Sequence, residues 1–258
     1  MPNKEQVKKL AKNPKFISGV YNYCDRWCER CTFTKRCMNY AMGDDDDDET
    51  RDMNNKKFWN KIHENFQVAM ELLAEAAAEH GIDLNKIEVD QNEIDDREIE
   101  KEITKQHPCY KGSEKYIKLG RKWIEGRKEV LQNKENELNQ KLQLGAEKDQ
   151  LDSEVDEIAD AFEIIQWYLF FISAKIYRAL MGRRDGEDDD FPKDSDGSAK
   201  IALISIDRSI SAWGNIFKHF PEEEDSILSM LALLDKMRKD TEKEFPDARK
   251  FVRPGFDK

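Results

Sequence analysis

No stretch of the chain alternates polar and apolar residues into a hairpin turn, and no internal repeat is present, so sheet and repeat architectures are set aside. Long apolar runs are also missing. The most apolar stretch, Trp167 to Ala174 (WYLFFISA), is eight residues between Gln166 and Lys175, whereas a membrane span needs about 20. The N-terminus MPNKEQVKKLAKNPKF has lysines but no apolar core, so it does not read as a secretory signal. Nucleophile elbows and glycine-rich phosphate loops are absent. None of the four histidines has a glutamate three positions before it, which sets aside a ferritin-like di-iron bundle.

Apolar residues are scarce too. With glycine counted and tyrosine left out they make up about 40% of 258 residues, against ~45–50% in ordinary globular domains. Charged residues reach 38%, well above the usual ~25%. Five tryptophans and thirteen phenylalanines nevertheless argue against a wholly disordered acidic chain, because large apolar side chains are what offset ordering entropy. Long solvated helices around a modest core have this composition. Of five cysteines, four lie between Cys24 and Cys37, which suits thiolate ligands in a reducing, cytoplasmic setting better than an exported disulfide framework.

The net charge of −11 is unevenly placed. Residues 1–40 hold nine Lys/Arg against three Asp/Glu, a net +6, which leaves −17 for the remainder. Between the two lies Asp44 to Glu49 (DDDDDE), a like-charge block expected to repel itself and stay extended.

Beyond that block the periodicity is helical. Phe58, Trp59, Ile62, Phe66, Ala69, Leu72, Leu73 and Ala76 recur at three- and four-residue spacing, and Gly81 follows as a C′ residue. In residues 82–107 the isoleucines are too sparse for a strong apolar face, so any helix there is exposed. From about Ser113 to Leu142 the pattern resumes, with a turn at Gly145. A helix over about Glu147 to Met181 becomes apolar on nearly every side, which predicts a central position and encloses Glu163. Such a carboxylate needs a buried partner, and Arg178 or Arg208 is expected to supply it. Residues 182–199 read as a mobile loop, Ser198 as the cap of a helix through Phe217, and Pro221 as the first residue of a last helix to about Lys243.

The strongest chemical signal is Cys24-x3-Cys28-x2-Cys31-x5-Cys37. Thiolates are soft ligands suited to zinc or an iron–sulfur cluster, and four from one segment complete a first shell. On a straight helix Cys24, Cys28 and Cys31 would share a face as small buried hydrophobes. Cys24 and Cys31 would then stand about 10.5 Å apart along the axis, while thiolates sharing one zinc lie within roughly 4 Å of each other. A metal site therefore demands that the helix break, and Thr32-Phe33-Thr34 is a helix-poor stretch. Arg26, Arg30, Lys35 and Arg36 would offset the thiolate charge. With Trp27 and Phe33 they also leave open a nucleic-acid contact through residues 26–36. Cys109, after His107-Pro108, reads as a structural cysteine.

Cys24, Cys28 and Cys31 resemble the CxxxCxxC signature of radical-SAM enzymes, which implies a β/α barrel and an open iron site. This chain has no strand–helix alternation, and Cys37 would fill the open position, so that family is set aside. Glu157-Ile158-Ala159-Asp160 (EIAD) resembles the second acidic motif of all-α nucleotide pyrophosphohydrolases of the MazG type. The resemblance implies magnesium held by these acids and an upstream ExxE, for which Glu71 and Glu75 offer only a four-residue step. Glu154 and Glu163 continue the row.

The sequence thus predicts an all-α protein, an antiparallel bundle of four to five helices with a small N-terminal four-cysteine metal-binding module. Residues 1–43 form the basic module, 44–52 an acidic linker and 53–258 the acidic bundle. The expected function is a metal-binding (zinc or [4Fe-4S]) interaction module with a protein partner and no membrane. An iron–sulfur redox protein, or a magnesium-dependent pyrophosphohydrolase, is the alternative.

Overall fold

The computed structural model describes residues 3–43, 47–86, 90–183 and 193–257, and among them there is helix and no strand. The helices are α1 (Lys4–Ala11), α2 (Met38–Met42), α3 (Asp48–Arg51), α4 (Lys56–Glu79), α5 (Gln91–Gln106), α6 (Pro108–Glu125), α7 (Lys128–Gln143), α8 (Lys148–Gly182), α9 (Asp194–His219) and α10 (Glu224–Glu244). Among the described residues no helix is long and apolar enough to cross a membrane. The chain forms two compact units, Met1–Asp95 with Val252–Lys258, and Asp96–Phe251. This division falls within α5, so α4 and the chain's last residues group with the cysteine segment.

Helix ends follow local chemistry. Asn3 caps α1 in a reciprocal box with Gln6, and Asn55 Oδ1 accepts from Lys57 N to start α4. Gly81 and Gly145 take φ of +69° and +91° after α4 and α7, as the spacing predicts. Of the acidic run, Asp47 to Glu49 belong to a short capped helical turn rather than an extended tether, since Asp47 Oδ1 accepts from Thr50 N; residues 44–46 lie outside the described residues.

In the second unit α8 packs along α9, α10 against α9 and α6, and α6 against α8. The pairing is antiparallel. Along α6 and α8, Ser173 donates to Glu114 at 2.9 Å, and between two and three turns further along α6 Trp123 stacks on Phe162 at 5.7 Å between centroids. At 35 residues α8 is about 52 Å long, enough to run back along both α6 and α7, and Lys134 on α7 meets Glu154 at 2.7 Å. Ser198, Ala202, Ser205, Ser209 and Ala212 put small buried side chains on one face of α9, which lets neighbouring helices approach closely.

Three expectations are corrected. Helix α9 starts at Asp194, a turn before Ser198, which is therefore an interior buried residue and not a cap; residues 184–192 of the expected mobile loop lie outside the described residues. Pro221 opens a 3-10 turn, Pro221–Glu223, and α10 follows it. Glu163 is exposed, not enclosed. Helix α8 buries Ile158, Ala161, Ile165, Leu169, Ile172 and Ile176 on one side, while Phe170 remains 55% exposed. An apolar sequence on every side had hidden that one-sidedness. Arg178 pairs with Asp194 at 2.6 Å, and Arg208 donates to the Tyr168 hydroxyl.

At the centre, the Trp213 indole N–H donates to the Tyr116 hydroxyl at 3.0 Å with both side chains buried. Tyr116→Phe strands that donor and should destabilise the second unit by about 1–3 kcal/mol. Urea unfolding of this variant checks it.

Candidate metal centre

The cysteine segment is not one helix. After a turn at Gly19 (φ +72°), the chain reaches Cys24, whose thiol donates to the Tyr21 carbonyl at 3.5 Å. Asp25 Oδ1 then accepts from Trp27 N at 3.2 Å, and Arg26 takes φ +60°, a left-handed value rare outside glycine. That reversal breaks the face that Cys24 and Cys28 would share on a helix. Cys28–Arg30 forms a single 3-10 turn closed by Cys31 N donating to Cys28 O at 3.1 Å. Phe33 N donates to Cys31 Sγ at 3.4 Å, Thr34–Arg36 forms a second 3-10 turn, and Cys37 precedes α2.

These turns bring Cys24, Cys28, Cys31 and Cys37 to the lining of one pocket, with Val20, Trp27, Phe33 and Phe256 among its apolar walls. Phe256 comes from the end of the chain, and its ring meets that of Phe33 edge-on at 4.7 Å. Gly255 is needed there, because it takes φ +80° and a Cβ would stand 3.0 Å from Ile17 Cδ1. Arg253 lies over the Phe256 ring at 4.8 Å and pairs with Asp257 at 3.0 Å.

Burial pushes the Cys28 thiol above its ordinary value, and Cys24, Glu29, Cys31 and Cys37 push it further. Cys24 is likewise raised, by burial first. The four sulfurs thus share one electrostatic neighbourhood, yet among the described residues no three His, Cys, Asp or Glu side chains converge as ligands of a single ion.

Of the expected nucleic-acid face, Arg26, Arg30, Lys35 and Arg36 are exposed. The two rings turn inward. Trp27 is buried beneath the Arg30 guanidinium at 4.0 Å, and Phe33 is engaged by Phe256.

The acids of α8 face cations. Glu154 meets Lys134 at 2.7 Å and His219 Nδ1 at 3.5 Å, while Glu157 meets Lys218 at 2.7 Å and His219 Nε2 at 3.0 Å. Hydrogen bonds from Lys134 to Glu154, and from Lys218 to Glu157, hold both carboxyls below their ordinary range. Asp160 and Glu163 are exposed. Glu75 is held by Lys4 and Lys8 in the other unit, beside exposed Glu71.

Two participants escaped the sequence reading. Phe256 lies more than 200 residues from the cysteines, and no local pattern announces its return. His219 was set aside for lacking a glutamate three positions before it, although its partners lie on another helix. Compared with family models, curated proteins and solved structures, the chain matches none.

Cys109, in the second unit, is 2% exposed, and burial drives its pKa up to about 11. In the folded chain it should resist alkylation at pH 8 and react fully in denaturant, as timed thiol labelling will show. A thiol raised in the folded state stabilises below its unfolded value near 9, and this contribution is lost as pH rises from there through about 11. Cys109→Ala should therefore flatten the alkaline fall in stability over that window.

Proposed function

We propose that the chain is a metal-binding helical protein acting mainly as an interaction module, with Cys24, Cys28, Cys31 and Cys37 as the ligands of one zinc or [4Fe-4S] group. The observation that supports this reading best is that all four cysteines line a single, largely apolar pocket. Thiolates crowded there without a cation would repel one another, and a bound metal removes that cost by replacing four protons. Arg26, Arg30, Lys35 and Arg36 supply further compensation from the exposed side. The helical unit is the part expected to meet a protein partner in a cytoplasmic setting.

Magnesium chemistry has less support. Glu154 and Glu157 are already paired with lysines and in contact with the His219 ring, and Glu71 and Glu75 belong to the other unit. Millimolar magnesium should leave the melting temperature of the second unit unchanged in scanning calorimetry; a saturable rise, abolished in Glu157→Gln, would revive the pyrophosphohydrolase reading.

For the metal itself, chain kept reduced and offered zinc, or iron and sulfide without oxygen, should retain one stoichiometric centre. Cys28→Ser should lose it and Cys109→Ser should keep it, as elemental analysis after desalting will report. Wild-type chain that leaves the column metal-free under both conditions would end the proposal.

A further inference from the structure

We infer that α4 pairs with α4 of a second copy of this chain, antiparallel, through an apolar stripe that the fold leaves uncovered. The inference is independent of any metal. The spacing of apolar residues along α4 is that of a core helix, yet of its 24 residues Ala77 is the one that is buried. Helices α1 and α3 pack on α4, and α1 does so through Lys4 and Lys8 on Glu75. At about 3.6 residues per turn Glu75 lies on the far side of the helix from Trp59, Phe66, Met70 and Leu73, which are 58%, 68%, 59% and 51% exposed. With His63 these positions step along the chain by four, three, four and three residues, the spacing at which two helices keep one seam facing each other.

The edges of the stripe suit an identical helix. Asn60, Gln67 and Ala74 run along one side and Ile62, Ala69 and Ala76 along the other, all uncharged in a chain of which 38% is charged. Two copies therefore meet with no like charges at the edges of the seam, and the alanines let the backbones approach. Charge along the axis then sets the direction. Lys56, Lys57 and Lys61 occupy the N-terminal quarter of α4, while Glu64, Glu71, Glu75 and Glu79 follow them. This order opposes the helix macrodipole, whose N-terminal end favours anions and whose C-terminal end favours cations. Pairs within the chain offset part of the conflict, Lys57 with Glu49 and Glu75 with Lys4 and Lys8, whereas Lys56, Glu71 and Glu79 stay exposed. A parallel copy would lay like charge on like, and a wholly acidic or wholly basic foreign helix would match one end alone. An antiparallel copy sets the lysine end of each helix beside the glutamate end of the other, and a two-fold contact of this kind closes at two chains.

The test is sedimentation equilibrium of the full chain under reducing conditions, from nanomolar to high micromolar. It is joined to zero-length carbodiimide cross-linking of a mixture of ordinary and heavy-nitrogen chain. A reversible dimer is expected, with mixed-isotope peptides that join Lys56 or Lys57 of one copy to Glu71 or Glu79 of the other. Phe66→Glu should sediment as a monomer at every concentration with unchanged helical circular dichroism, because Phe66 is exposed in the single chain. Phe170→Glu, at an apolar position 55% exposed in the second unit, should still dimerise. Wild-type chain that stays monomeric throughout, or a dimer that Phe66→Glu leaves intact, would overturn the inference. So would mixed-isotope links confined to Lys61 and Glu64, which a parallel pair brings together.

Discussion

Four thiols within fourteen residues can face one space only if the backbone between them refuses to be a helix. That constraint governs the first unit. Arg26 in a left-handed conformation and two single 3-10 turns replace the regular rise that would carry Cys24 and Cys31 about 10.5 Å apart. Such a segment has few backbone bonds of its own to hold it. Its order draws on the apolar wall, including Phe256 and Gly255 from the far end of the chain. The raised Cys24 and Cys28 thiols express the same situation, because burial and mutual proximity both disfavour the uncompensated thiolates.

The second unit depends on nothing comparable. Helices α6, α8, α9 and α10 bury Tyr116, Ile165, Ile172, Ile201, Ile206, Trp213 and Leu234 against one another, and full burial of such a side chain contributes roughly 1.5–3 kcal/mol. Charges that would otherwise be stranded along α8 meet cations on neighbouring helices. His219 sits with both ring nitrogens facing carboxylates.

Helical periodicity made most of this fold legible. The long helix ending at Gly81, the turn at Gly145 and the central α8–α9 pair all follow from three- and four-residue spacing of apolar side chains. Glu163 was misplaced for a physical reason: where both faces of a helix carry apolar residues, spacing cannot say which face is covered, and Phe170 shares the exposed side. The start of α9 was misread because Asp, Ser and Gly, which favour loops, are held in that helix by burial of Ser195, Gly197 and Ser198. At the candidate site the grouping of the four cysteines and the need for a broken helix between them were both readable from cysteine spacing. The left-handed Arg26 and the returning Phe256 were not, since one is a backbone choice at an ordinary residue and the other a contact between distant parts of the chain.

If the cysteine segment owes its order to a group held by its thiolates, while the helical unit folds on its apolar core alone, removing that group must affect the two units differently. Amide hydrogen exchange, read by mass spectrometry on loaded chain and on chain stripped by a chelator under reducing conditions, tests this most directly. Peptides covering residues 16–40 should lose protection on stripping, and those within α8 and α9 should keep theirs. Equal loss in both units, or unchanged protection across residues 16–40, would contradict it.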